Sequence, residues 1–244
     1  MSALSTMSAT SALTPFDLDP AAGTDSQVLV LGIGNLLWAD EGFGVRCAET
    51  LHRDWRLPPG VAVMDGGTQG MYLLPYIQGA RRLLVFDAVD YGLQPGEVKV
   101  VRDDEVPRFM GAKKMSLHQT GFQEVLAAAA FTGQLPDTMV LIGVQPEDLA
   151  DYGGSLRPLI QARIPAAIDA AVAQLAAWGF APERRPEPLA ETLADASLDQ
   201  SIYEAGRPDE TLAWRLGDPR FLNRRDEIAG AAGDIGGTNA QGAA

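Results

Sequence analysis

The sequence predicts an α/β fold in which helices are layered on a mostly parallel sheet. Three observations carry that expectation. Short apolar runs recur between residues 26 and 181, and segments with helical spacing of apolar residues fall between them. The two patterns alternate, as strands joined by helical crossovers do. In such sheets ligands collect beyond the carboxyl ends of the strands, so the loops that follow strands are where chemistry is expected.

The elements follow in order. Residues 1–25 hold Ser, Thr, Ala, Asp and Pro without periodicity and read as a disordered leader. Residues 27–32 contain Val28-Leu29-Val30-Leu31, apolar without alternation, as in a strand buried on both faces. A helix is predicted over 41–55, where Val45, Ala48, Leu51 and Trp55 form one stripe. Residues 61–64 read as a second strand and 71–77 as a short helix after a Gly-rich turn. Residues 83–86 read as a third strand, and 97–101 as a fourth entered through Pro95-Gly96. A helix over 117–131 and a fifth strand over 138–144 come next. The last long helix, 156–178, contains Pro165, which should kink or break it. From Pro182 the composition turns to Pro, Glu and Arg and later to Gly and Ala. The sequence therefore divides into a leader, a domain over 26–181, and an acidic, flexible extension over 182–244 with a short helix near 189–204.

Composition narrows the function classes. Of the 244 residues 46% are hydrophobic, enough for a sizeable core. A net charge of −13 repels phosphate backbones and argues against a nucleic-acid partner. The single cysteine, Cys47, rules out a disulfide within the chain and a CxxC metal site, and fits a reducing compartment. No apolar run is long enough to span a bilayer, so no membrane insertion is expected. The first basic residue is Arg46, so a secretory signal is not expected either; the reading places the protein in the cytoplasm.

Three strand-following segments carry candidate chemistry. The first is Gly32-Ile33-Gly34-Asn35-Leu36-Leu37, which opens like a dinucleotide fingerprint but has Leu37 where the third glycine belongs. It leads into Asp40-Glu41. Asp40 reads as a helix N-cap, whereas Glu41 lies one position too far to cap and can face a ligand. The second is Phe86-Asp87-Ala88. Asp87 ends a buried strand, either closing an Asx-type turn or holding a ligand. The third is Ser116-Leu117-His118-Gln119, a capping box that places His118 in the first turn of a helix, where the dipole favours neutral imidazole. Two carboxylates and an imidazole suit a borderline divalent ion such as Zn²⁺ or Ni²⁺ with positions left for water or substrate. Glu41 or Asp87 could then activate water beside the ion. A fourth segment, Asp65-Gly66-Gly67-Thr68, follows the second strand and reads either as a plain turn or as a cradle for a substrate strand. Neither an HExxH nor a GxSxG motif is present, and Cys47, mid-helix among apolar residues, is a weak nucleophile.

Taken in order, these motifs and the later Leu141-Ile142-Gly143-Val144-Gln145-Pro146-Glu147 resemble the hydrogenase maturation endopeptidases over about residues 26–180, the branch serving uptake or membrane-bound nickel–iron hydrogenases most of all. The resemblance implies a three-layer α/β/α fold with a twisted five-stranded sheet. It implies an endopeptidase, often filed as aspartic-type, that trims the C-terminal peptide from a hydrogenase large-subunit precursor after nickel insertion. Glu41, Asp87 and His118 match the family's metal-binding positions. Nickel would be presented by the precursor, with zinc or cadmium able to substitute for it in the isolated protein. A different class, a non-catalytic nickel-sensing chaperone of the same precursor, would use the same residues for docking alone. A nucleotide-binding protein is the third reading, weakened by Leu37.

Overall fold

The computed structural model describes residues 27–109, 117–149, 151–193, 198 and 200–206, with side chains described outside 108–120. The leader and residues 207–244 lie outside the described residues. The chain falls into two units, Met1–Ala205 and Gly206–Ala244, and the fold below is that of the first.

Five strands, β1 (Val28–Ile33), β3 (Val61–Gly67), β4 (Arg82–Ala88), β5 (Val98–Arg102) and β6 (Thr138–Val144), form one sheet. Their order is β3-β1-β4-β6-β5. β1 pairs in parallel with β3 and β4, and β4 with β6, whereas β5 runs antiparallel to β6. The antiparallel edge follows from connection length. Only a loop joins β4 to β5, too short for the helical crossover that a parallel neighbour would need. β1 is buried along its whole length, as its unalternating apolar run requires.

Helices cover both faces. α1 (Phe43–Asp54), α5 (Pro158–Gln161) and α6 (Ile164–Ala177) pack on the face of Val28, Val30, Leu84, Phe86, Val140 and Ile142. α2 (Leu74–Gly79), α3 (Glu105–Phe109) and α4 (Leu117–Phe131) belong to the other, which presents Leu29, Leu31, Leu83, Val85 and Leu141. The result is the three-layer α/β/α arrangement. Val45, Ala48 and Leu51 are buried as the predicted stripe requires. Pro165 does break the last helix: α5 stops at Gln161, and α6 begins anew with the proline in its first turn, where a missing N–H costs nothing.

Trp55 departs from the helical expectation. α1 ends at Asp54, and Trp55 opens β2 (Trp55–Arg56), which pairs antiparallel with β7 (Glu183–Arg184). Arg185 and Leu189 donate their backbone N–H groups to the carbonyls of Asp54 and Arg53, at 2.8 and 2.9 Å, and Leu193 packs on the α1 face. Residues 183–193, assigned by sequence to the extension, thus form a strap across the end of α1. In the 189–204 region the α-helix among the described residues is α7 (Gln200–Ala205), whose Glu204 accepts a 2.5 Å hydrogen bond from Ser155. No helix among the described residues is long and apolar enough to cross a membrane.

Candidate active site

The carboxyl end of β1 is built from close backbone approach. A Cβ on Gly32 would lie 2.8 Å from the Val45 Cα and the Ala48 Cβ. One on Gly44 would collide with the carbonyls of Ile33 and Phe86, and one on Gly34, at φ +141°, with the carbonyl of Glu41. These glycines let the start of α1 and the 3-10 turn Ala39–Gly42 settle directly on the ends of β1 and β4. The Gly-x-Gly pair is therefore filled by the protein's own backbone and is not a phosphate cradle. Ala39 takes up the strain of the turn with φ +37°.

Asp40 and Glu41 share that turn and differ in role. Asp40 is completely buried. Its Oδ2 accepts the N–H groups of Glu147 and Asp148 at 2.9 and 2.8 Å, and its Oδ1 that of Arg157 at 2.8 Å. The expected N-cap is not formed, since the side chain caps neither the turn nor α1. Three long-range amides are better partners for a buried carboxylate than one local N–H. Asp40 so fixes the loop 147–157, which Arg157 also braces through Asp148 (2.7 Å) and Asp151 (3.1 Å). Those ion pairs hold the guanidinium above its ordinary range. On the rim, Trp38 and Tyr152 meet edge to face at 5.2 Å. Glu41 is buried too, at 9% exposure, its backbone pinned under Gly34.

Asp87 is fully buried at the carboxyl end of β4, on the face it shares with Leu83 and Val85. The turn carrying Glu41 packs on the same strand. His118 is the second residue of α4. One turn later, a Cβ on Gly121 would stand 3.6 Å from the Cα of Gly70, just past β3, so the backbone of α4 starts at this end of the sheet. The fold therefore brings Glu41, Asp87 and the backbone of His118 to one end; the imidazole itself lies outside the described side chains. No set of three His, Cys, Asp or Glu side chains gathers among the described residues.

The Asp65-Gly66-Gly67-Thr68 segment finishes β3 at the sheet edge and then turns, with Gln69 bonding back to the Asp65 carbonyl at 3.2 Å. Thr68 is exposed. The side chain of Asp65 lies on the α1 face, opposite to Asp87, near the Arg46–Glu49 ion pair of 2.8 Å. Burial, then the charge of Glu49, push its carboxyl up to about 6 against the opposing pull of the Gly67 N–H and Arg46. Cys47 is buried, and burial pushes its thiol well up, which fits an inert packing role.

The sequence reading did not single out Asp148, Asp151 and Arg157 as the frame of the loop, and it named Gln145 only within the Leu141–Glu147 run, without a role, although Gln145 is one of the few buried polar residues among those described. A signal for Gln145 was available: a polar residue directly after a buried strand needs partners.

Comparison with known proteins bears on this site. The family model described as hydrogenase maturation protease matches residues 45–174. The chain is 60% identical over 199 residues to the hydrogenase expression/formation protein HoxM of Azotobacter vinelandii, covering 82% of this chain and 96% of that one. It is 57% identical over 201 residues to HupD of Thiocapsa roseopersicina, covering 82% and 91%. Among solved structures, the hydrogenase maturating endopeptidase HybD from Escherichia coli superposes with a TM-score of 0.62 at 39% identity, over 65% of this chain and 98% of that one. A chain so close over nearly the whole length of these relatives belongs to the hydrogenase maturation protease family.

Proposed function

We propose that the protein is the endopeptidase that removes the C-terminal peptide of a nickel–iron hydrogenase large-subunit precursor once nickel is in place. The observation that carries this is the convergence of Glu41, Asp87 and the start of α4 at one end of the sheet. In this reading Glu41, Asp87 and His118 grip the nickel of the precursor, and the bound metal brings the scissile bond with it. Three ligands from separate elements hold a free ion more weakly than a closed cage does, so a metal already fixed in the precursor completes the set. One carboxylate of the Glu41/Asp87 pair takes the proton of the attacking water. Water oxygen bonds the carbonyl carbon, the C–N bond breaks, and the proton passes to the departing amine. The edge strand segment Asp65–Thr68 guides the extended substrate chain.

Incubation with the precursor of a hydrogenase large subunit, with and without nickel, tests the proposal by product mass. Loss of a C-terminal peptide from the nickel-loaded form alone is expected. Tight binding without cleavage would instead support the nickel-sensing chaperone, and cleavage of metal-free precursor would remove the metal from the recognition step.

A further inference from the structure

Four of the exposed large apolar side chains, Leu37, Met71, Tyr72 and Tyr152, stand in segments that follow β1, β3 or β6, at the end of the sheet where Glu41 and Asp87 lie. Exposed apolar surface gathered at one end marks a place of contact. Two of the four share a rim. Tyr152 is 64% exposed, and its ring meets that of half-buried Trp38 edge to face at 5.2 Å. Leu37, the neighbour of Trp38 in the chain, is exposed as well.

The rim is held firmly for so exposed a feature. Trp38 and Tyr152 oppose each other across an antiparallel bridge. The Gly153 N–H donates to the Leu37 carbonyl at 2.7 Å, and the Ala39 N–H to that of Gly154 at 3.2 Å. Beneath it, Asp40 ties down the 147–157 loop through three amides, and Arg157 engages Asp148 and Asp151. Binding side chains are characteristically carried on loops fixed in this way by a rigid scaffold. With Asp148 and Asp151 committed to Arg157, the two rings and Leu37 offer an apolar surface rather than an ionic one. Trp38 also stands one 3-10 turn from the site, since its carbonyl accepts the Glu41 N–H at 2.9 Å. Three residues at a rise of about 2 Å each separate the two backbones by about 6 Å, which an extended chain spans in about two residues.

We propose that Trp38 and Tyr152, with Leu37, form a subsite that takes an apolar side chain of the precursor, within about four residues of the scissile bond. The inference rests on the reading of the protein as the precursor's endopeptidase with Glu41 in its site. An aromatic pair suits the task because each ring supplies a large contact area for only two side-chain torsions. The contact is made alike in the bound precursor and in the transition state, so it lowers KM and leaves kcat alone.

Tyr152→Ala is the test, because the side chain is exposed and its removal leaves the frame of the loop in place. With nickel-loaded precursor, KM is expected to rise about 10-fold, a usual cost of losing an aromatic anchor, with kcat and Tm unchanged. Tyr152→Phe, which keeps the ring, should retain the wild-type KM. Apolar and charged residues of the precursor around the scissile bond are then replaced singly by Ala. One apolar position should raise KM with the wild-type protease and have no further effect with Tyr152→Ala. An unchanged KM in Tyr152→Ala overturns the inference, as does a loss confined to kcat or a rise in KM matched by a falling Tm. Additive effects at every precursor position, or coupling at charged positions alone, overturn it too. If the wild type fails to cleave nickel-loaded precursor, the reading of the function has failed and the subsite with it; if the wild type cleaves and Tyr152→Ala matches it, only the subsite has.

Discussion

The two ends of the sheet are built on opposite principles. The carboxyl end gathers buried acids, Asp40, Glu41 and Asp87, with Asp65 nearby on the edge strand. The amino end, where α1 finishes, is closed by ordinary means: a two-stranded ribbon, backbone hydrogen bonds from the 183–193 strap, and apolar packing of Leu193. Among the described residues at that end, His52 is a buried titratable group. Burying a carboxylate is costly unless it is partnered, so a cluster of them is a mark of function rather than of stability. The comparison also separates the acids from one another. Asp40 is occupied by three amides and belongs to the scaffold, whereas Glu41 and Asp87 are the two acids that the proposed function puts to use.

The sharpest break between the two ends should appear in processing. Asp87→Asn is expected to lower cleavage of the nickel-loaded precursor by about 10²- to 10⁴-fold, the range typical for loss of a proton-transfer group, while far-UV circular dichroism stays unchanged. His52→Gln, at the other end, should cleave within about twofold of wild type, as expected of a residue remote from the reacting groups. Equal losses in both variants would dissolve the distinction.

Asp40→Ala tests the division within the carboxyl end. Removing that side chain strands the amides of Glu147, Asp148 and Arg157 and loosens the loop they belong to. A loss of about 3–5 kcal/mol in urea denaturation is expected. A loss below about 1 kcal/mol would mean that water replaces the carboxylate without strain.

Much of this was legible in the chain. The unalternating run Val28-Leu29-Val30-Leu31 announced a strand buried on both faces, and Pro165 marked the break between α5 and α6. The position of Glu41 and Asp87 could be read as well: both were expected to follow strands, and the fold puts both at the carboxyl end of the sheet. The rest depended on distance along the chain. The amides that hold Asp40 lie more than 100 residues away, so a local N-cap was the natural expectation. The ribbon of β2 with β7 joins residues just as remote, and two-residue strands have no periodicity to detect. The 3-10 turn before α1 follows from glycine contacts with β1 and β4 that only folding creates. Gly143 inside an apolar strand was a readable sign of close approach, but did not reveal that the Tyr91 ring is what approaches.

A smaller effect should come from Asp65. Its carboxyl rises from the ordinary 3.8 to about 6 in the folded protein. The folded state therefore binds this proton more tightly than the unfolded state does. The contribution to stability is greatest below about pH 4 and is lost as pH rises through about 6. At neutral pH the ionised group is a burden of up to about 3 kcal/mol. Asp65→Asn should raise Tm at pH 7 by a few degrees and make no difference near pH 4. An unchanged or lower Tm at pH 7 would show that Arg46 and the Gly67 amide already compensate the charge.

The least effect, and the one of opposite sign, belongs to His52. Burial lowers its pKa from 6.5, with Glu191 of the strap opposing that shift and Arg185 reinforcing it. Its Nε2 is buried without a hydrogen-bond partner among the described residues, so a proton there gains no new bond. The folded state takes up this proton less readily than the unfolded one. Stability from this site is complete above about pH 6.5 and declines as pH falls below it. The strap that carries Glu191 and Arg185 is held to α1 largely by backbone bonds at Arg185 and Leu189, so its amides should report the change first. Hydrogen exchange of residues 183–193, corrected for intrinsic rates, is expected to quicken at pH 5.5 relative to pH 7.5, and His52→Phe should flatten the difference. The accompanying shift in Tm should be about 2 °C or less. Equal protection at both pH values in the wild type would show that Glu191 stabilises the imidazolium as well as burial disfavours it, and the amino end would then be indifferent to pH.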